Sequence, residues 1–141
     1  MKLRVYITLL FCWIGMGTGF CQVSKTLHQT FTLDAAEKVN INVVAKKIEM
    51  KETKGSRILV ETKVTISLPN DRLLDFVCNS GRYDLTKTMD ATTREITISS
   101  KKTNDVIVVK GEECIEVLEY VIYMPASVKF INNSTLVDGK E

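Results

Sequence analysis

The sequence predicts a mainly β fold, an antiparallel β-sandwich or the start of a β-solenoid, with one short helix around residues 70–80. Apolar and polar side chains alternate over residues 57–68, with apolar ones at even positions from Ile58 to Leu68, a period typical of a strand with one buried face. The same period recurs in shorter runs along most of the chain. Only residues 69–81 replace it with apolar residues three and four positions apart, which indicates a helix.

The chain has the size and composition of a single globular domain. Its 141 residues are 45% hydrophobic and 26% charged, which is ordinary usage for a protein with one core. We expect a signal peptide over residues 1–21, one β-rich domain over 25–132 and a polar tail over 133–141.

The amino-terminal segment resembles a secretory signal. Residues 5–21 carry no charge and follow two basic residues, as an apolar h-region follows a charged n-region, and cleavage is expected near Cys21 or Gln22. An uncleaved anchor stays open because the apolar run lies near the lower limit of a bilayer span. A lipid-modified Cys21 is a third reading, against which the large Phe20 argues. We therefore expect an exported protein, periplasmic, outer-membrane associated or extracellular, without a membrane span after signal removal.

Signal removal also removes the charge imbalance. The chain has 19 Lys and Arg against 17 Asp and Glu. Because Lys2 and Arg4 leave with the signal, the two signs become equal. No basic surface for nucleic acid is expected.

Strands are predicted on both sides of the helix. The first covers residues 25–33, the second contains Val39, Ile41 and Val43, and a third begins at Ile48. The polar stretch 53–56, which includes a glycine, predicts a hairpin into residues 57–68. We expect residues 57–68 to form the central strand of an antiparallel sheet.

The helix has recognisable start and stop signals. Asn70 or Asp71 can cap it, and Gly81 is placed to end it. Leu74 and Val77 should pack near the end of the 57–68 strand.

Later strands follow the same alternation. They are predicted at residues 83–85, 96–98, 106–109, 115–124 and 128–130. The run 106–109 is continuously apolar, which suits a strand covered on both sides or one at the centre of the sheet. In the long strand 115–124, even positions from Leu118 to Met124 share one face.

Two cysteines remain after signal removal, Cys78 and Cys114. In an exported chain they can form one disulfide, or they can be two separate buried thiols. Their spacing and the distance in sequence from His28 argue against a zinc site. No cofactor or metal is expected.

Three segments, IEMKETKGSRILVETKV, SGRYDL and EYVIYMP followed by SVKF, resemble the amino-terminal part of secreted bacterial proteins with adhesin-type β domains, which are common in Bacteroidetes. The resemblance covers roughly residues 30–130. It implies a solenoid or sandwich protein of the cell envelope with no catalytic residues, and further strand repeats after the region matched.

The sequence shows no arrangement of residues typical of acid–base catalysis. Glu112 and Glu113 are adjacent, so on a strand they point to opposite faces and cannot flank one substrate bond. No nucleophile elbow, phosphate loop or metal-ligand cluster is present in the sequence. We expect a protein that is not an enzyme.

Two binding functions remain. In the first, the domain is a structural or adhesin-like module whose open edges or solvent-facing strand side chains, Glu61, Lys63 and Thr65, meet a cell-surface component or another copy of the chain. In the second, it is a small ligand-binding module with an apolar cavity between sheet and helix. The residues that would line this cavity are aromatic, although ordinary core packing would also account for them: Phe76, Tyr83, Tyr120 and Tyr123.

Overall fold

A computed structural model describes residues 22–101 and 105–137 of the chain. The predicted signal peptide lies outside the described residues. The strands are β1 Val23–Thr32, β2 Lys38–Asn42, β3 Val44–Ala45, β4 Lys47–Thr53, β5 Arg57–Ile66, β6 Leu85–Asp90, β7 Glu95–Ser100, β8 Ile107–Val109, β9 Glu112–Cys114, β10 Glu116–Pro125, β11 Lys129–Asn132 and β12 Thr135–Leu136. One helix, α1, spans Asp71–Asn79.

Sheet A contains the long strands in the order β1-β5-β10-β4. Strand β5 pairs antiparallel with both β1 and β10, so the predicted central position of this strand is confirmed. Its side chains at even positions are buried, and this set includes Thr62 as well as the expected apolar residues. The alternation in the sequence therefore identified the buried face of sheet A correctly.

Sheet B has the order β11-β2-β7-β6. Its β2 pairs parallel with both β7 and β11, while β6 and β7 are antiparallel. The inner face of sheet B packs on one half of sheet A, and their shared core contains Ile41, Ile96, Ile58 and Ile122. The predicted mainly β, sandwich-like fold is confirmed.

The carboxyl-terminal segment continues a parallel ladder. β11 lies along β2, and β12 lies along β3 with the same offset in residue number. Between the two strand pairs, Ser134 accepts a hydrogen bond from the Val43 amide at 3.3 Å and donates one to the Ile41 carbonyl at 3.1 Å. Residues 129–137 thus form a parallel rung on residues 37–45, as in a solenoid, at one end of the sandwich. Both sheets contain parallel as well as antiparallel pairs, so the sandwich is mixed, whereas the sequence predicted an antiparallel one.

Helix α1 covers the half of sheet A that sheet B leaves free. Asn70 caps it by accepting a hydrogen bond from the Leu73 amide at 3.0 Å, and Gly81, with φ of +77°, follows its last turn in the left-handed conformation that favours glycine. Leu74 and Val77 pack with Val64 of β5 in a second core, as the sequence predicted.

Two strand predictions are wrong. The stretch 53–56 connects β4 to β5, but β10 lies between these strands and pairs parallel with β4, so the connection is not a hairpin. The apolar run 106–109 is not covered on both sides, because β8 pairs only with β9 among the described strands and Val108 is 57% exposed.

Candidate functional site

The solvent-facing side of sheet A holds the predicted partner residues. We call this surface the outer face; it consists of the side chains of sheet A that point away from sheet B. Register places Glu61 between His28 and Val121, and Lys63 between Thr26 and Glu119. Glu61, Lys63 and Thr65 therefore share one surface, as predicted for alternate residues of a strand.

Ion pairs cross the outer face between neighbouring strands. The Lys63 Nζ and Glu119 Oε2 atoms are 3.6 Å apart, and the His28 Nε2 and Glu61 Oε1 atoms are also 3.6 Å apart. Glu61, Lys63 and Glu119 line a shallow cleft of about 200 Å³. Charges of both signs alternate here, so the outer face has no net sign to attract a highly charged polymer.

Apolar side chains are set among these charges. Leu59, Val121 and Tyr123 are half-buried on the outer face, and the Lys51 ammonium lies 5.6 Å from the centre of the Tyr123 ring. A surface that mixes an aromatic ring, aliphatic groups and paired charges has the composition of a non-obligate protein interface.

A second concave surface, which we call the groove, lies between α1 and the β8–β9 hairpin. Its volume is about 470 Å³. The residues that line it are mostly apolar and include two cations and no carboxylate: Leu73, Phe76, Val77, Ser80, Gly81, Arg82, Lys101, Ile107, Val108 and Val109.

The four aromatic residues predicted to line one cavity lie in different places. Phe76 is 71% exposed on α1 and lines the groove. Tyr83 is buried in the core beneath α1, Tyr120 is buried between the sheets, and Tyr123 lies on the outer face. The apolar concavity therefore has a different lining from the predicted one, and aliphatic residues of β8 take the place of the tyrosines.

Beside the groove, a cluster of polar side chains joins the end of the helical segment to β10. The Arg82 guanidinium donates two hydrogen bonds of 2.7 Å to the Glu116 carboxylate, and the Tyr83 hydroxyl donates a third of 2.5 Å. Arg82 also donates to the Asp105 carbonyl. We call Arg82, Tyr83 and Glu116 the clamp.

Contacts within the clamp shift the pKa values of Arg82 and Tyr83. Burial, with the bond to the Glu116 carboxylate, raises the pKa of Tyr83 well above its ordinary value, and the same carboxylate raises the pKa of Arg82. Sequence reasoning missed Arg82 and Glu116, because the two residues are 34 positions apart. The clamp is a structural feature that fixes one end of the groove.

Cys78 and Cys114 are free thiols buried in the same apolar core beneath α1. Burial raises the pKa of Cys78, which keeps it protonated and weakly nucleophilic. The disulfide remains one of the two readings that the sequence allows.

In residues 22–101 and 105–137, no three His, Cys, Asp or Glu side chains come together in a way that could hold a metal ion. Over the same ranges, no helix has both the length and the apolar character of a membrane span.

Comparison with known proteins gives one remote structural neighbour. No family model matches the sequence, and no curated protein matches it. A crystal structure from Clostridium sporogenes, of a protein provisionally described as a cell adhesion protein, superposes with a TM-score of 0.47 and 14% identity. The match covers 81% of this chain and 48% of that one, so this chain spans about half the neighbour's length. A likeness this remote carries no conclusion about the activity of this chain.

Proposed function

We propose that the protein is an exported, non-enzymatic, adhesin-like module of the cell envelope or cell surface, which binds a partner through the outer face of sheet A. The observation that carries the proposal is the composition of that face. Four strands wide, it combines half-buried Leu59, Val121 and Tyr123 with paired charges. Such a surface can exclude water from its apolar centre and match the charges of a partner at its rim.

The edges of sheet A are a less suitable binding surface. No described strand pairs with the outer edge of β4. However, Lys47, Glu49 and Lys51 alternate along this strand, and charged side chains on an edge strand discourage pairing with another chain. The face, rather than the edge, is therefore the surface we assign to binding.

Binding of intact cells tests the proposal. Beads coated with the exported protein should retain cells of the producing organism, and beads coated with the Lys63→Glu/Tyr123→Ser variant should retain several-fold fewer. The matched control is Thr86→Glu/Thr88→Ser, which changes exposed residues on the opposite surface of the domain, in β6 of sheet B. Circular dichroism verifies that each variant is folded.

Two results would contradict the proposal. In one, beads with the exported protein retain no more cells than uncoated beads. In the other, the outer-face variant and the sheet B variant lower retention equally.

A second candidate function is a small ligand-binding module. The groove favours it, because a volume of about 470 Å³ falls within the range of small-molecule sites. Saturable binding of an apolar probe, lost when Phe76 is replaced, is the test for this candidate.

A further inference from the structure

Large apolar side chains are exposed to solvent around the groove. Phe76 is 71% exposed and Val108 is 57% exposed, although both belong to regular elements. Beneath them Val77 is buried, so the groove has an apolar floor as well as apolar walls. Exposed apolar side chains that gather around a concavity are typical of a binding surface.

The polar residues of the groove have one sign of charge. Among the described residues that line it, Arg82 and Lys101 are ionisable and none is a carboxylate. The charge of Arg82 is already balanced, because its guanidinium forms two hydrogen bonds with Glu116. Lys101, which is exposed, is therefore the cation that can meet an anionic group of a ligand.

We infer that the groove binds a free long-chain carboxylate, with the alkyl chain against Phe76 and Val108 and the carboxylate at the Lys101 ammonium. This inference rests on the second candidate function, the ligand-binding module, and names its ligand class. The lining explains both parts of the ligand: aliphatic and aromatic side chains match an alkyl chain, and a single cation matches a single carboxylate. The volume of about 470 Å³ suits one small molecule.

The test uses the exported protein and two probes that differ only in charge, dansyl-undecanoic acid and its methyl ester. Fluorescence titration should show saturable binding of the acid. Lys101→Met removes the ammonium and keeps an unbranched apolar stem. It should weaken binding of the acid about tenfold, as expected for one charge-assisted hydrogen bond. The ester should bind the wild type and this variant equally.

Two further variants locate the site. Phe76→Ser should weaken binding of the acid and of the ester alike, about tenfold, because apolar contact is lost. Phe76 is highly exposed, so the fold does not depend on it. Lys129→Met, at an exposed position of β11 in sheet B, is the matched control and should change neither titration.

The outcomes separate the ligand class from the ligand-binding function. If acid and ester bind equally and Lys101→Met changes neither, the carboxylate assignment is wrong and the ligand-binding module stands. If neither probe binds saturably, both are wrong. Binding that Phe76→Ser leaves unchanged would place the site elsewhere and overturn the inference. Binding to phosphatidylglycerol vesicles without binding of the monomeric acid would assign the groove to a lipid surface, which also overturns it.

Discussion

Tyr120 is a large polar side chain in an otherwise apolar core. It is 1% exposed, and its hydroxyl has no hydrogen-bond partner among the described residues. Burial raises its pKa to about 12, since the charged phenolate has no solvent or donor to stabilise it. The hydroxyl therefore has a desolvation cost that no described contact offsets.

Removing this hydroxyl should not destabilise the protein. We expect Tyr120→Phe to leave the free energy of unfolding unchanged or to raise it by about 1 kcal/mol, because the substitution removes a buried group without a partner. Urea unfolding followed by circular dichroism measures the change. Tyr83→Phe is the matched control, and it should lower stability because that hydroxyl donates to Glu116. A loss above about 2 kcal/mol in Tyr120→Phe would mean that the hydroxyl has a partner.

Glu116 should contribute more to stability than the carboxylates of the outer face. It accepts three hydrogen bonds in a half-buried position, and we expect Glu116→Gln to lower the free energy of unfolding by about 2 kcal/mol, the scale of charged hydrogen bonds. Glu119→Gln is the control, since its contact with Lys63 is longer, at 3.6 Å, and more exposed; its effect should stay within about 0.5 kcal/mol. Equal effects of the two substitutions in urea unfolding would contradict this ranking.

At the scale of residues, sequence predicted burial better than pairing. The alternation in residues 115–124 identified the inward positions of β10, and all of them from Tyr120 to Met124 are buried. The clamp had no comparable signal, because its pairs form only when α1 and β10 come together. The four aromatic residues of the predicted cavity lie apart for the same reason: periodicity gives the face of each residue but not which faces meet.

Helix α1 depends on its first turn. It spans only nine residues, so capping is a large fraction of its intrinsic stability. Asn70→Ala should lower the free energy of unfolding by about 1 kcal/mol through loss of the bond to the Leu73 amide. Asn70→Ser keeps a capping oxygen and should retain most of the stability. The same loss for both variants in urea unfolding would show that the cap does not contribute.

At the scale of elements, sequence predicted most strands and the helix but not every neighbour. Residues 57–68 and 69–81 had strong local signals, and β5 and α1 lie there. The predicted hairpin at 53–56 failed because a polar turn signals only that the chain changes direction. Nothing local indicates that β10, which follows fifty residues later, occupies the position beside β5.

At the scale of the whole molecule, the described residues form two cores, and the thiols share one of them. The first core lies between the sheets, and the second lies beneath α1 and contains Cys78 and Cys114. We expect both thiols to be free. Iodoacetamide should therefore modify them once the protein is unfolded, and no reductant should be needed. Peptide mass mapping of the protein measures this. Modification that also requires a reductant would establish the disulfide that the sequence allows.

At the scale of the whole molecule, the sequence predicted two alternative architectures, a β-sandwich and a β-solenoid. Long antiparallel strands indicated a sandwich, and the resemblance to envelope proteins implied a sandwich or a solenoid. The structure is a sandwich of two mixed sheets, in which β4 pairs parallel with β10 and β2 pairs parallel with β7. Its solenoid-like part is the run of residues 129–137 along residues 37–45 at one end. Strand periodicity is the same in both architectures, so no count of apolar positions could have separated them.

Strand order also sets how the molecule would carry mechanical load. β1 and β6 lie together at one end, where Gln29 accepts a hydrogen bond from the Leu85 amide at 2.9 Å, and β11 and β12 lie at the other. We expect tension between residues 22 and 137 to load these two ends. The rung of residues 129–137 pairs over six residues, four in β11 and two in β12, so it should yield before the ten-residue pairing of β1 with β5. An optical trap should record this as a small early extension before the main rupture.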